Sequence, residues 1–164
     1  MKTLYLIGGT MGVGKTAVSQ RMNELLVSSV FLDGDWCWNA NPFQVTDETK
    51  NMVMENICHL LNNFIHCSAY ENIVFSWVMH QQDIIDDLIG SLDTRHCTVK
   101  VFSLVCDEKT LRERLQKDIA NGIRTADVID RSIARLPLYH RLNTIKIQTT
   151  SKSVDAIAKE IIAR

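Results

Sequence analysis

The chain has 164 residues, 46% of them hydrophobic and 23% charged, with a formal net charge of −1. That length buries one core and is too short for two independent domains, so a single domain over residues 1–164 is expected. The near-zero charge argues against a general nucleic-acid or anionic-membrane surface, and no apolar run is long enough to span a bilayer.

Met1 and Lys2 lead straight into a strand-like segment, which is not the build of a signal peptide. The expectation is a cytoplasmic protein, monomer or homodimer, with no nucleic-acid or membrane partner. Five cysteines, Cys37, Cys58, Cys67, Cys97 and Cys106, form no CxxC pair and are odd in number. Reduced, mostly buried thiols are expected rather than a disulfide framework or a zinc knuckle.

The first strand, over 3–8, runs into Gly9-Thr10-Met11-Gly12-Val13-Gly14-Lys15-Thr16 and then a helical pattern over 15–27. The loop fits G-x-x-x-x-G-K-[ST] without mismatch, between a strand and a helix as that motif requires. Glycines let backbone N–H groups turn inward around a phosphate, and the helix adds its positive N-terminal end. Lys15 supplies a charge for the β and γ phosphates and Thr16 a hydroxyl for Mg²⁺. Gly9, Gly12, Val13, Gly14, Lys15, Thr16 and Ala17 are therefore the expected nucleotide-binding residues. A ligand-free glycine turn is the bland alternative.

The second strand, 30–33, ends in Leu32-Asp33-Gly34-Asp35-Trp36. Ligands of open α/β sheets collect at the carboxyl ends of the strands, so both carboxylates are placed near the triphosphate. If strand geometry persists through Gly34, Asp33 and Asp35 project to the same side. Asp33 is read as the metal-side carboxylate and Asp35 as the group that accepts the acceptor hydroxyl's proton. A solvated Asp-Gly turn is the alternative.

With the second strand in place, GTMGVGKT followed by LDGD resembles the small P-loop kinases: shikimate, gluconate and adenylylsulfate kinases, chloramphenicol phosphotransferase and the nucleoside monophosphate kinases. The resemblance covers the chain in element order, although only the phosphate loop is a specific motif. It implies an α/β three-layer sandwich with a five-stranded parallel sheet in order 2-3-1-4-5, a lid at about 115–137, and γ-phosphate transfer from ATP to a small acceptor. The sequence departs from the adenylylsulfate kinases, where an arginine follows LDGD closely; here Trp36-Cys37-Trp38-Asn39 follows.

A helix over 46–67 starts at Thr46-Asp47. His59 and His66, seven apart on it, are too far for an i,i+4 metal pair and read as a polar face. The third strand, 72–79, has no Asp at its end, so metal support is expected from Thr16 and the strand-two carboxylates. After a helix over 82–90 and a strand over 98–105, Asp107 starts a helix over 107–121. Glu108–Arg112, Glu113–Lys117 and Asp127–Arg131 are i,i+4 acid-to-base pairs that support ordinary exposed helices.

Residues 122–137 read as a glycine turn and a short charged helix ended by Pro137. Arg124 lies in that turn with no helical partner imposed, and its planar fork suits a transferring phosphoryl group. By the resemblance, Arg114 lies where an arginine packs on adenine or touches phosphates. Thr149-Thr150-Ser151 follows the last strand, 144–148, where related kinases wrap a loop around adenine, which makes Thr150 a candidate contact. Ser153 caps the last helix, 153–163.

Asp35, Trp36, Trp38, Trp77 and His80 fall after strands two and three, where an acceptor binds; Pro42 and Phe43 share that stretch. Aromatic walls with few polar groups suit a small organic hydroxyl compound. No arginine cluster is visible there, which favours a neutral or aromatic acceptor over a nucleotide or sugar acid. The reading is an ATP- and Mg²⁺-dependent small-molecule kinase, with Lys15, Asp35 and Arg124 catalytic. The alternatives are a nucleoside monophosphate kinase and a non-enzymatic nucleotide-binding switch.

Overall fold

The computed structural model describes residues 1–164. In chain order it contains β1 (Lys2–Gly8), α1 (Lys15–Leu25), β2 (Ser29–Asp33), a 3₁₀ turn (Gly34–Cys37), α2 (Asp47–His66), β3 (Asn72–Ser76), α3 (Gln82–Gly90), β4 (Cys97–Val105), α4 (Glu108–Ala120), α5 (Val128–His140), β5 (Ile145–Gln148) and α6 (Val154–Ile162). The five strands are parallel, in the expected order β2-β3-β1-β4-β5.

Alternation along β1 shows why the sheet is covered on both faces. Tyr5 and Ile7 pack with Phe102, Leu104, Val18, Met22 and Leu115 on one side. Leu4 and Leu6 pack with Ile73, Phe75, Ile57, Leu61 and Leu88 on the other. Period-two side chains feeding two helical layers are what a doubly covered parallel sheet requires. Each such side chain contributes about 1.5–3 kcal/mol on burial.

The expected helix starts hold. Thr46 caps α2 in a reciprocal box with Thr49. Asp107 accepts from Thr110 N at 2.7 Å and Ser153 from Ala156 N at 3.1 Å. Three expectations need correction. β3 ends at Ser76 rather than at 79. Pro137 does not end a helix: α5 runs through it to His140. The ring costs the helix one hydrogen bond, and full burial of Tyr139 just beyond it, with Leu136 just before, offsets that loss. Of the five free cysteines only Cys106 is buried; the others are half-buried. No helix is long and apolar enough to cross a membrane.

Candidate active site

The phosphate loop leaves the carboxyl end of β1, which pairs with both β3 and β4, and enters α1 with Gly14 at its N-cap. Three contacts brace it. Gly12, at φ +82°, lies so close to α4 that a Cβ there would come within 2.5 Å of Leu115 Cδ2. Thr10 Oγ1 donates to the Ser132 carbonyl of α5 at 2.8 Å. Arg114 Nη1 donates to the Val13 carbonyl at 3.0 Å, and its Nη1 and Nη2 donate to Thr149 Oγ1 and O, both at 3.1 Å.

Arg114 thus ties the phosphate loop to the segment after β5. Both of its terminal nitrogens are engaged by protein oxygens. Thr150 Oγ1 donates to Gln148 Oε1 at 3.1 Å and accepts from Asp107 N at 3.1 Å, so its hydroxyl shapes this same turn.

Thr16 Oγ1 donates to Asp33 Oδ2 at 2.7 Å, bringing together the two residues expected at a metal. Asp33 is only 5% exposed. Its Oδ1 accepts from Asp35 N at 3.0 Å, capping the 3₁₀ turn. Strand geometry therefore stops at Asp33 and does not persist through Gly34. The two carboxylates nevertheless stay close enough to act on each other, the Asp33 charge raising the Asp35 carboxyl. At the matching place on β3, Ser76 pairs in register with Asp33 and its buried Oγ has no protein partner. β2 therefore delivers the carboxylate at this site and β3 only a hydroxyl.

Lys15 Nζ donates to the Thr10 carbonyl at 3.1 Å. Burial pushes its pKa down to about 8, while the Asp35 and Asp33 charges oppose that fall and Arg124 adds to it. Burial, with the Asp33 charge beside it, raises the Asp35 carboxyl above its ordinary range; Lys15, Arg124 and the Trp77 side chain pull the other way. The charges of Asp35, Asp33 and Arg124 thus all act on the Lys15 amine.

Arg124, expected to be without an imposed partner, has one: its Nε donates to Asp118 Oδ2 of α4 at 3.0 Å. Among the i,i+4 pairs, Glu108–Arg112 forms at 3.0 Å and Asp127–Arg131 approaches to 4.0 Å. Glu113 and Lys117 form no ion pair. On α2, His66 reaches Asp93 at 3.1 Å rather than His59, consistent with a polar face.

Beside Asp35 opens a cavity of about 680 Å³. Trp38, Phe43, Trp77 and His80 line it, and Trp38 meets Phe43 at a tilt of 47° with ring centroids 4.7 Å apart. Trp36 does not belong here: it is 61% exposed and meets Phe31 edge-on outside the cavity. Trp38 Nε1 and His80 Nδ1 are buried without a protein partner. Burial, with the Arg135 guanidinium nearby, holds the His80 imidazole below its usual range.

The sequence reading missed that Lys50, Arg131 and Arg135 also line this cavity. Arg131 and Arg135 lie four apart on α5, hence on one helix face. That spacing was the available signal, obscured because their helix follows β4 and the lid turn rather than strands two and three. Arg135 is half-buried and makes no ion pair.

Residues 6–134 match the AAA domain family. No curated protein sequence matches the chain. Among solved structures, a gluconokinase from Sinorhizobium meliloti 1021 superposes with a TM-score of 0.72 at 18% identity, covering 98% of this chain and 90% of the other. A tunicamycin resistance protein from Deinococcus radiodurans gives 0.71 at 19%, covering 99% and 95%. A shikimate kinase from Acinetobacter baumannii in complex with shikimate gives 0.61 at 19%, covering 99% and 91%. With its phosphate loop between β1 and α1 and its 2-3-1-4-5 sheet, the chain belongs to the AAA domain family and has the fold of the small P-loop kinases.

Proposed function

We propose that the protein is a kinase that transfers the γ-phosphate of ATP to a hydroxyl of a small organic acceptor. The observation that carries this is the convergence of Lys15, Asp33, Asp35 and Arg124 at the phosphate loop, beside a cavity large enough for a small organic molecule. The acceptor hydroxyl oxygen forms a new bond to the γ phosphorus as the bond to the β,γ-bridging oxygen breaks, and ADP leaves. Asp35 takes the hydroxyl proton; its raised pKa makes it a better base than an ordinary aspartate. Lys15 and Arg124 stand where charge spreads over the transferring group.

Thr16 and Asp33 supply hard oxygen donors of the kind Mg²⁺ takes, and are the residues that would hold it. Bound there, the ion neutralises phosphate charge. Trp38, Phe43 and Trp77 would receive the apolar body of the acceptor. Three cations, Lys50, Arg131 and Arg135, set against Asp35 support an acceptor that carries a carboxylate or phosphate as well as the hydroxyl, in place of the neutral compound expected from the sequence.

The test is ATP consumption with Mg²⁺ against nucleoside monophosphates, sugar acids, aromatic hydroxy acids, amino alcohols and hydroxylated antibiotics, with Lys15→Ala as control. Acceleration by one acceptor that disappears in the control supports the kinase. Tight ATP binding with no acceleration by any member would favour the nucleotide-switch alternative.

A further inference from the structure

The sheet ends on one side at β2 and on the other at β5, and the two edges are built differently. β5 has four residues and carries Lys146 within its run, the kind of residue that keeps a strand edge from pairing with another chain. β2 is longer and holds no proline, lysine or bulge. Its single charge, Asp33, is buried at its end and engaged by Thr16 and the Asp35 N–H.

The ladder shows which groups line the outer edge of β2. Asn72 N donates to Ser28 O at 3.2 Å, and successive residues of a parallel strand alternate between facing their neighbour and facing away from it. Val30 and Leu32 therefore bond toward β3, while the backbone N–H and C=O of Ser29 and Phe31 point out of the sheet. No loop of the protein bonds them.

The surface beside that edge is equally unguarded. Trp36 and Val27 are exposed, and Trp36 meets Phe31 edge-on with ring centroids 5.2 Å apart. Next to it a cleft of about 550 Å³ opens between the 3₁₀ turn and α2, walled by Leu32, Trp36, Cys37, Asn56, His59 and Leu60. Its α2 wall belongs to a face with little charge. Residues 51–67 hold one carboxylate, Glu55, and no lysine or arginine, although Met52, Asn56, His59 and Asn63 follow one another on one exposed helix face. In α4, by contrast, seven of 13 residues are charged. Depletion of charge around an exposed aromatic side chain marks the centre of an interface rather than a face kept in water.

The patch itself favours a second copy over any other partner. Free backbone groups along a strand are satisfied by another strand edge, and β2 paired antiparallel with itself supplies one. The same twofold symmetry lays the patch on its own image, where a charged surface would meet like charge and this one does not. The patch also carries a projecting indole with a cleft beside it, so each copy can offer its Trp36 to the cleft of the other. α2, at 20 residues, is about 30 Å long. With the strand edge and Trp36 it makes a strip of the order of the roughly 800 Å² that a stable interface takes from each partner.

We infer that a second copy of the chain docks on this face, β2 against β2 in antiparallel pairing, so that the two sheets become one across a twofold axis. Trp36 and the neutral face of α2 form its apolar flank. Trp36 follows Asp35 in the same 3₁₀ turn, so the partner also braces the segment that carries that carboxylate. The inference stands apart from the kinase reading.

Sedimentation velocity of the full chain between about 1 and 100 μM should show a species of twice 18.7 kDa. Trp36→Glu and His59→Glu, at exposed positions outside the core, should each raise the dissociation constant by about a hundredfold or more and leave the circular dichroism spectrum unchanged. Ile145→Glu, exposed on β5 at the opposite edge, should leave the dimer intact. Amide exchange followed by NMR reads the strand edge directly: the Phe31 N–H should be protected in the dimer and exchange freely in the Trp36→Glu monomer. A protein that is monomeric at every concentration overturns the inference. So does a dimer that both glutamate substitutions leave unchanged, one that Ile145→Glu dissociates, or one in which the Phe31 N–H exchanges as freely as in the monomer. Growth beyond a dimer would reveal an open contact in place of the twofold pairing and overturns it too.

Discussion

Thr16 Oγ1 donates to Asp33 Oδ2 at 2.7 Å, latching the first turn of α1 to the end of β2. The other Asp33 oxygen orders Asp35 through its backbone N–H. One buried carboxylate thus holds the Thr16 hydroxyl and the backbone of Asp35 together. Asp33→Asn is expected to weaken ATP binding in the presence of Mg²⁺ by roughly tenfold to hundredfold, with little change in ADP binding in its absence. Titration calorimetry with and without Mg²⁺ checks this, and equal losses under both conditions would count against a metal role.

The pH dependence follows from Lys15 and Asp35. The Lys15 amine is charged below about 8 and neutral above it, so the attraction of the free enzyme for phosphates falls as pH rises through that value. The Asp35 carboxyl is raised, so its capacity to take a proton is lost on the acid side at higher pH than for an ordinary aspartate. kcat/KM should be bell-shaped. Lys15→Arg, whose charge does not titrate, should remove the alkaline limb, while Asp35→Asn should abolish transfer and keep nucleotide binding. A profile still rising well above pH 8 would show that the Lys15 charge does not limit the reaction.

Gly34 supports Trp77 at very short range: a Cβ on it would come within 2.5 Å of Trp77 Cδ1 and Cγ. Gly34→Ala therefore forces the indole away from Asp35, at a cost of about 1–3 kcal/mol in stability and with a raised KM for the acceptor. In a Trp77→Gly background, which also removes the Trp77 Cβ that would lie 2.9 Å away, the same substitution should cost much less. Thermal denaturation of the four proteins in that cycle is the measurement, and additivity would show that the strain lies elsewhere.

Arg135 lines the cavity beside Asp35 and has no ion partner. Arg135→Gln should weaken binding of an aromatic carboxylate or phosphate by about tenfold to hundredfold and leave its uncharged ester or alcohol almost unaffected. Nucleotide affinity should not change. Tryptophan fluorescence provides the signal, since Trp38 and Trp77 line the same cavity. Equal binding of charged and neutral partners by the unsubstituted protein would restore the neutral acceptor first expected.

Local chemistry makes much of this protein legible from its sequence. The alternation of strand and helix periods, the caps at Thr46, Asp107 and Ser153, and the glycine loop with Lys15 and Thr16 each depend on residues within a few positions of one another. Those rules carry the element order, and the resemblance carried by the phosphate loop and LDGD supplies the 2-3-1-4-5 sheet. They do not carry what depends on long-range juxtaposition. Arg114 is drawn into the protein by carbonyls 101 and 35 residues away. Trp36 and Trp38, two apart, part company because a 3₁₀ turn replaces the strand after Asp33. Arg131 and Arg135 line the cavity beside Asp35 from α5, a helix that Thr10 ties to the phosphate loop across 122 residues. Sequence determined the glycine loop with its lysine and threonine; tertiary structure decided which charges share the cavity beside Asp35, because side-chain direction there is set by packing between elements distant in the chain.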